Sequence, residues 1–463
     1  MKTSSWMPRV AMAVLAAGLL APAARGETIT IGIGTQNTTT NTVTGGVVLK
    51  EMGLLEKHLP KTGKYKDVRY SLSWQNATSG PPITNGMMAD NIQIGMMGDY
   101  PLMVNGATGQ ATGNETQLVA IIAYNAFGGG NGIVVHKDSP YFDLTDLKGK
   151  NVSVPFGSAA HGMMLAALQK RGLPNDFWSL VSQSPEIGTT NLQEKRIDAH
   201  GDFVPFAELL PFRGFARKIF DGAETRTPTF HGVVARKDFA AKYPEIITAY
   251  IEALMEANDW VRKNPKQAAE KIEEWTKISK EVVYIFLGPG GVHTLDPTIK
   301  PQWVDAIGAD YAVLKKLNMI KDLDIKAWVN DSFVRQAYKN LGLDYEKQRA
   351  FVAGYDGDKP DASGQIWING GDILTFGSPL QTIAGAKTYL QQGKKLDAVY
   401  LIDHELGIKV FADAAFYSVR GDNPKQREIT PFLLKKDAEA FASKNGGRLA
   451  TYTELIGPID VTK

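Results

Sequence analysis

Between Glu27 and Gly157 the chain changes its apolar period repeatedly, and that alternation restricts the fold more than any single motif. ETITIGIG, 27–34, alternates with period two, as a half-buried strand does. Polar QNTTTNTVTGG follows, then a helical stretch from Val47 to His58 that ends near Pro60. VRYSLSW, 68–74, alternates again, Pro81-Pro82 stands at a helix start, where proline is tolerated, and NIQIGMM, 91–97, is a short strand broken by GDYP. Strand, helix, strand, helix, strand predicts an α/β sheet with parallel crossovers. Further strands are expected over 118–124, 132–136, 151–154, 197–201 and 229–235, with GGGNG as a flexible crossing between the first two. From Pro244 onward Ile246, Ile247, Tyr250, Ile251 and Leu254 recur at helical spacing, so one helix face is apolar.

The two ends differ from this pattern. MKTSSWMPRVAMAVLAAGLLAPAARGE carries Lys2 and Arg9, a short apolar run from Val10 to Leu20, and the small-x-small sequence Ala21-Pro22-Ala23. This predicts a secretory signal peptide over 1–23, too short for a membrane span. Removing Lys2 and Arg9 from a chain of formal charge +2 leaves the mature protein close to neutral, with no basic patch of the nucleic-acid kind. There is no cysteine, which excludes disulfides, thiolate metal sites, cysteine nucleophiles and a lipidated N-terminal cysteine. A soluble, non-lipidated periplasmic protein is expected. At 463 residues it requires more than one core. Composition shifts at the Asp/Gly/Pro-rich YDGDKPDASGQ, 355–365, and a linker is expected over 344–361. Beyond it GQIWING, AVYLID and KVFAD are short strands, and KKDAEAFASKNGG is a helix closed by Gly446. Residues 362–463 are thus expected to form a separate α+β domain.

Four stretches, in order, carry a resemblance: SGPPITNGMMADNIQIGMMGDYPLM, DLTDLKGKNVSVPFGSAAHGMMLAALQKRGL, RIDAHGDFVPFAELL and VARKDFAAKYPEIITAYIEALMEANDWV. Residues 27–343 resemble the periplasmic substrate-binding proteins of ABC importers, in the nitrate, sulfonate and taurine group to which thiamine-pyrimidine binders are related. The resemblance implies a type II-like two-lobe α/β fold with hinge crossovers. Lobe I is then 27–125 and 229–343, lobe II is 126–228, and a small solute closes between them. It implies a monomer that delivers its solute to a membrane permease and catalyses nothing.

The candidate site residues lie where strands end, the usual place for ligands on α/β sheets. Gln36, Asn37 and Thr38 follow the first strand; Asp99 and Tyr100 follow NIQIGMM; Asp202 and Phe203 follow RIDAHG; Tyr124 lies at the first crossover. Gly157, Ser158, Ala159 and His161 sit where the strand NVSV runs into a helix. A helix start leaves N–H groups unpaired and partly positive, so it suits an anion, while Ser158 either caps the helix or donates to a ligand. Asp99 disfavours a purely anionic solute unless it pairs with a basic residue or caps a helix; an aminosulfonate zwitterion satisfies both features, and so does a neutral or cationic heterocycle stacked on Tyr124, which uses the helix end less well.

IGIGTQ is not a dinucleotide fingerprint, because Asn37 stands where the third glycine belongs, and neither a P-loop nor an HExxH pattern occurs. No cofactor is expected. The methionines at 87, 88, 96, 97, 103, 163 and 164 read as core filler rather than copper ligands. Residues 362–455 resemble the NosL-type copper accessory lipoproteins of nitrous oxide reductase, through GQIWINGGDILTFGSPLQTIAGAKTYL, AVYLIDHE and KVFADAAFYSVRG. The family's lipidated cysteine is missing and its Met-Gly copper segment is replaced by QREITPF. That leaves His404, beside Asp403 and Glu405, as a poor metal candidate, so no metal is expected. Two other functions compete with solute capture: a copper-handling accessory protein, and a protein that binds or converts a pyrimidine-type cofactor precursor.

Overall fold

The computed structural model describes residues 27–353 and 364–457, so the expected signal peptide and the polar centre of the expected linker lie outside the described residues. Six strands form the first sheet, in the order Thr294–Leu295, Thr116–Asn125, Thr229–Arg236, Ile94–Gly98, Thr28–Thr35, Arg69–Asn76. The last three are mutually parallel, as the strand–helix alternation predicts. Thr229–Arg236 runs antiparallel to both neighbours, because it is the chain returning from the second lobe. That lobe holds a five-stranded sheet, in the order Ser179–Ser182, Asn151–Val154, Ala199–Asp202, Gly132–His136, Ala216–Asp221.

The two crossovers, 125–132 and 221–229, lie against each other, and glycine makes this possible. Gly128 has φ +95°, and a Cβ there would stand 2.5 Å from the Thr227 carbonyl oxygen. A Cβ on Gly222 would stand 2.2 Å from the Gly128 carbonyl oxygen. The Asn125 side chain fixes the first crossover: its Oδ1 accepts from the Phe127 and Gly129 amides at 3.0 and 2.9 Å, and its Nδ2 donates to the Val292 carbonyl.

Some local expectations shift. The helical stretch from Val47 divides into Val47–Glu51 and Leu54–His58, because Gly53 adopts φ +62° between them. GDYP ends the strand at Gly98 as expected, and it also opens the helix Asp99–Thr112; Pro101 falls in the first turn, where its missing N–H has no intrahelical partner to lose. The amphipathic helix Pro244–Lys263 buries Ile246, Tyr250 and Leu254, and the Tyr250 hydroxyl donates to the Gly45 carbonyl at 2.6 Å. This ties the polar loop after the first strand to the core of the first lobe. The start of the expected linker is also folded. Residues Tyr345–Ala350 are helical, Tyr345 packs edge-on to Tyr338, and the Gln348 carbonyl accepts from buried Lys300 at 2.8 Å.

The C-terminal residues form two antiparallel sheets, in the orders Ile373–Phe376, Gly364–Ile368, Leu396–Ile402, Lys409–Phe411 and Glu428–Phe432, Phe416–Arg420, Arg448–Thr451. Helices Pro379–Gln391 and Lys435–Asn445 cover them, and Gly446 at φ +72° closes the second helix as expected. This domain docks on the first lobe through Tyr284, whose ring meets Trp367 and Tyr400 with centroids 5.5 and 5.4 Å apart. It meets the second lobe where Phe411 stacks on Phe212 at 5.1 Å.

Candidate functional site

The lobes meet where the first turn of Ala159–Lys170 faces the first turn of Asp99–Thr112. A Cβ on Gly98 would lie 3.0 Å from the Ala159 methyl, and one on Gly162 would lie 3.0 Å from the Tyr100 ring. The turn VPFGSAAHG forms the second lobe's side of this contact. Gly157 takes φ +77° and Ser158 is the N-cap, its Oγ accepting from the His161 amide at 3.3 Å. His161 is buried, not a surface residue. Its ring stacks on Phe156 at 4.8 Å, its Nδ1 accepts from the Gly157 amide at 3.2 Å, and burial pushes its pKa down to about 4. It is therefore a neutral ring at physiological pH.

The first lobe's side is the loop after the first strand. Tight turns bury it: Gln36 offers its carbonyl to the Thr39 amide and to the Thr42 hydroxyl. Thr39, Thr40, Asn41 and Thr44 are all at most 1 % exposed. Yet the hydroxyls of Thr39, Thr40 and Thr44 and the Asn41 Oδ1 find no partner among the described residues. Buried polar atoms ordinarily find partners, so four orphans on one loop mark a place built to receive something. The Asn41 Nδ2 lies 3.2 Å from the Nδ1 of His231 and 3.0 Å from that of His293. Burial lowers the pKa of both rings, to about 3 for His231 and well below the ordinary value for His293, where the neighbouring His231 adds to the effect. Two neutral imidazoles and an amide thus form the floor of the loop, beside the hinge.

Other expected site residues are placed differently. Gln36 is buried on the loop; Asn37 and Thr38 are half-exposed at its entrance, where the Asn37 amide donates to Asn76. Asp99 and Tyr100 line the cleft. Tyr124 does not. Its ring lies under Trp303 at 4.6 Å inside the first lobe, and its hydroxyl accepts from the Ala353 amide. Asp202 is also withdrawn: it is fully buried, its carboxylate 2.9 Å from His200 Nε2 and accepting from the Phe203 amide. Phe203 is core, edge-on to Phe206. Chain position put these three at strand ends and the first crossover, but Tyr124 and Asp202 point into the lobes because β-strand side chains alternate faces, and Phe203, just past its strand, packs in the core.

In the C-terminal domain Asp403 is fully buried and accepts from the amides of Glu405, Leu406 and Leu433. His404 is exposed, and its ring meets those of Phe432 and Phe441 at steep angles, with centroids 5.6 and 5.0 Å apart. Among the described residues no three His, Cys, Asp or Glu side chains are grouped to hold a metal ion. Nor is any helix among them long and apolar enough to cross a membrane.

Residues 106–268 match the family model described as NMT1/THI5 like. A putative aliphatic sulfonates-binding protein of Bacillus subtilis is 24% identical over 294 residues, 63% of this chain and 84% of that protein. The taurine-binding periplasmic protein of Escherichia coli is 26% identical over 219 residues, 46% of this chain and 65% of that protein. Among solved structures, the alkanesulfonate-binding protein from Xanthomonas axonopodis pv. citri, bound to MOPS, superposes with TM-score 0.56 at 19% identity, covering 66% of this chain and all of that one. The fold of the first two lobes is that of two-lobe periplasmic binding proteins, and a further C-terminal sheet domain is attached to it.

Proposed function

We propose that this protein is the periplasmic solute-binding component of an ABC importer, capturing a small sulfonate-class solute between its lobes and handing it to a membrane permease. One observation carries the reading: a buried loop whose threonine hydroxyls are unpartnered among the described residues, opposite a helix start in a cleft between two lobes. Hydroxyls and helix N–H groups are donors that hold a weakly basic oxyanion without a fixed counter-charge. The relatives above, named for sulfonates and taurine, support that class of solute. Lobe closure buries the solute, and the closed form is what a permease distinguishes from the open one. Among the described residues no nucleophile–base pair faces the cleft, since His161, His231 and His293 are spent on local bonds and packing; on this reading the protein binds and does not catalyse. The C-terminal domain is a docking module rather than a copper carrier, because Asp403 is used by backbone amides and exposed His404 has no group of further ligands around it among the described residues.

Thermal unfolding of the mature full-length chain with taurine, alkanesulfonates or nitrate tests this. A true solute at ~100 times its dissociation constant adds about 2.7 kcal/mol of apparent stability. No shift with any of them, or release of sulfite from a sulfonate, would count against the proposal.

A further inference from the structure

The cavity between the lobes is acidic. Asp99 and Asp310 line it, joined by Asn131, Gln169, Thr225 and Thr229, and no lysine, arginine or histidine is among its lining residues. Asp99 is 8% exposed, and its carboxylate accepts from the Tyr100 amide, the Thr229 hydroxyl and the Phe230 amide, with no cation beside it. Asp310, on the helix Pro301–Lys316, has neither a hydrogen bond nor an ion pair among the described residues. Burial, and then repulsion from Asp99, push its carboxyl up to about 7. Two carboxylates brought together without a cation are unfavourable to each other. An independent feature points the same way. Asn131 is 2% exposed and its Nδ2 lies 3.5 Å from the Thr229 hydroxyl, while its Oδ1, in the lining of the same cavity, is without a partner. The groups waiting there are acceptors. The space is about 50 Å³, and one water takes ~10–15 Å³ on the same measure, so an ammonium-sized group fits and a bulky one does not.

We propose that this acidic cavity seats the ammonium group of the solute, so that the ligand is an aminoalkanesulfonate zwitterion rather than a plain alkanesulfonate or nitrate. The inference rests on the solute-binding reading of the cleft. Asp310 supplies a carboxyl with no hydrogen bond of its own, Asp99 a second carboxyl that burial also pushes up, and Asn131 Oδ1 a neutral acceptor. A cation arriving beside Asp310 favours its ionised form, so binding near neutral pH is accompanied by proton release.

Calorimetry on the full mature chain with taurine and with ethanesulfonate, which differ only by the amine, tests it. Taurine is expected to bind at least about tenfold more tightly, roughly one charge–charge contact, with a heat that depends on the ionisation enthalpy of the buffer. Asp310→Asn should remove most of that preference and the proton release while leaving ethanesulfonate within about twofold. Ethanesulfonate binding as well as taurine, or Asp310→Asn weakening both alike, overturns the ammonium assignment and leaves solute capture standing. Binding of neither overturns both readings.

A second inference comes from the C-terminal domain, which touches both lobes and both crossovers. On the first lobe, Lys280 pairs with Asp397 at 2.5 Å, and the Tyr400 hydroxyl donates to the Glu281 carbonyl at 3.0 Å. On the second, Lys436 pairs with Asp143 at 2.9 Å and with Glu224. At the crossovers, Arg226 donates to the Glu405 carbonyl at 2.8 Å, and the Ile408 side chain lies 3.0 Å from where a Gly129 Cβ would be. Lobe opening rotates one lobe about these crossovers, and a single body cannot keep both sets of contacts through that rotation. We infer that the C-terminal domain is a brace that biases the lobes toward closure, so that solute exchange requires one of its faces to let go.

The absence of cysteine allows clean spin labelling of Lys61→Cys in the first lobe and Asp176→Cys in the second. The ligand-free chain should give one narrow interlobe distance. Lys436→Glu, which breaks the second-lobe face, and separately Lys280→Glu, which breaks the first-lobe face, should each add a longer, broader population without altering the circular dichroism. Distance distributions identical to that of the unsubstituted chain in both variants overturn the brace.

Discussion

Lys218→Met is expected to destabilise the protein by about 3–5 kcal/mol, the usual cost of removing one partner from a buried ion pair. Lys218 is 3% exposed on the strand Ala216–Asp221 of the second lobe, and its ammonium pairs with both Glu208 and Asp221, the latter at 2.5 Å. Gly132 on the neighbouring strand makes room for it, since a Cβ there would stand 2.3 Å from Lys218 Cε. Asp221 in turn accepts from the Ala223 amide at 2.8 Å, where the second crossover begins, so the cluster fixes the hinge as well as the lobe. Methionine keeps the length of the side chain and removes the charge, leaving two buried carboxylates facing each other. Burial holds the Glu208 carboxyl at about 7 even with Lys218 present. A carboxyl raised in this way is ionised only in neutral or alkaline solution. Lys218 holds that value down, so its loss raises the Glu208 carboxyl further; the penalty should therefore be largest in alkaline solution, shrink as the pH falls toward 7 and level off below it. Urea unfolding at pH 8 and pH 5.5 reads both effects: a lowered midpoint with an unchanged slope, and a smaller loss at the lower pH. A loss below about 1 kcal/mol at pH 8 would mean that water already solvates the cluster.

Thr40→Val should move stability and binding in opposite directions. The two side chains are nearly isosteric, and Thr40 is fully buried with an unpartnered hydroxyl. Burying a hydroxyl without a partner costs roughly 1–3 kcal/mol, so its removal should stabilise the ligand-free protein by about 1–2 kcal/mol. The same change deletes a donor from the proposed solute site, and affinity for the captured sulfonate should fall about 10–100-fold, equivalent to one or two hydrogen bonds. Chemical denaturation and calorimetry on one preparation check both. A less stable Thr40→Val protein would show that the hydroxyl already has a water partner, and unchanged affinity would remove Thr40 from the site. Such opposition between stability and binding is the mark of a polar group kept unsatisfied for function.

Local chemistry in the sequence determined the elements. Period two in VRYSLSW, helical spacing after Pro244, Gly446 closing its helix and Ser158 opening another each act within a few residues, and each stands where that local physics puts it. The parallel order of the first three strands follows from helices intervening between them. Membership of the site was only partly legible. The run TTTNT was visible beside Gln36, but burial of its hydroxyls without partners depends on Tyr250 and the helix Lys280–Leu287 packing over the loop. Tyr124 and Asp202 stand at strand ends as expected, yet they face inward to Trp303 and His200, because the face a residue presents is decided by what packs on its sheet. Asn41, His231 and His293 meet across separations of 190 and 252 residues, and Asp310 approaches Asp99 from a helix that carries no local sign of a site. Amphipathic periodicity encodes that a face is buried, not against which partner. The pairing of the lobes, the polar floor at the hinge, the acidic cavity and the C-terminal domain laid across both lobes were therefore decided by tertiary structure, where burial and unpaired charge are set by neighbours distant in sequence.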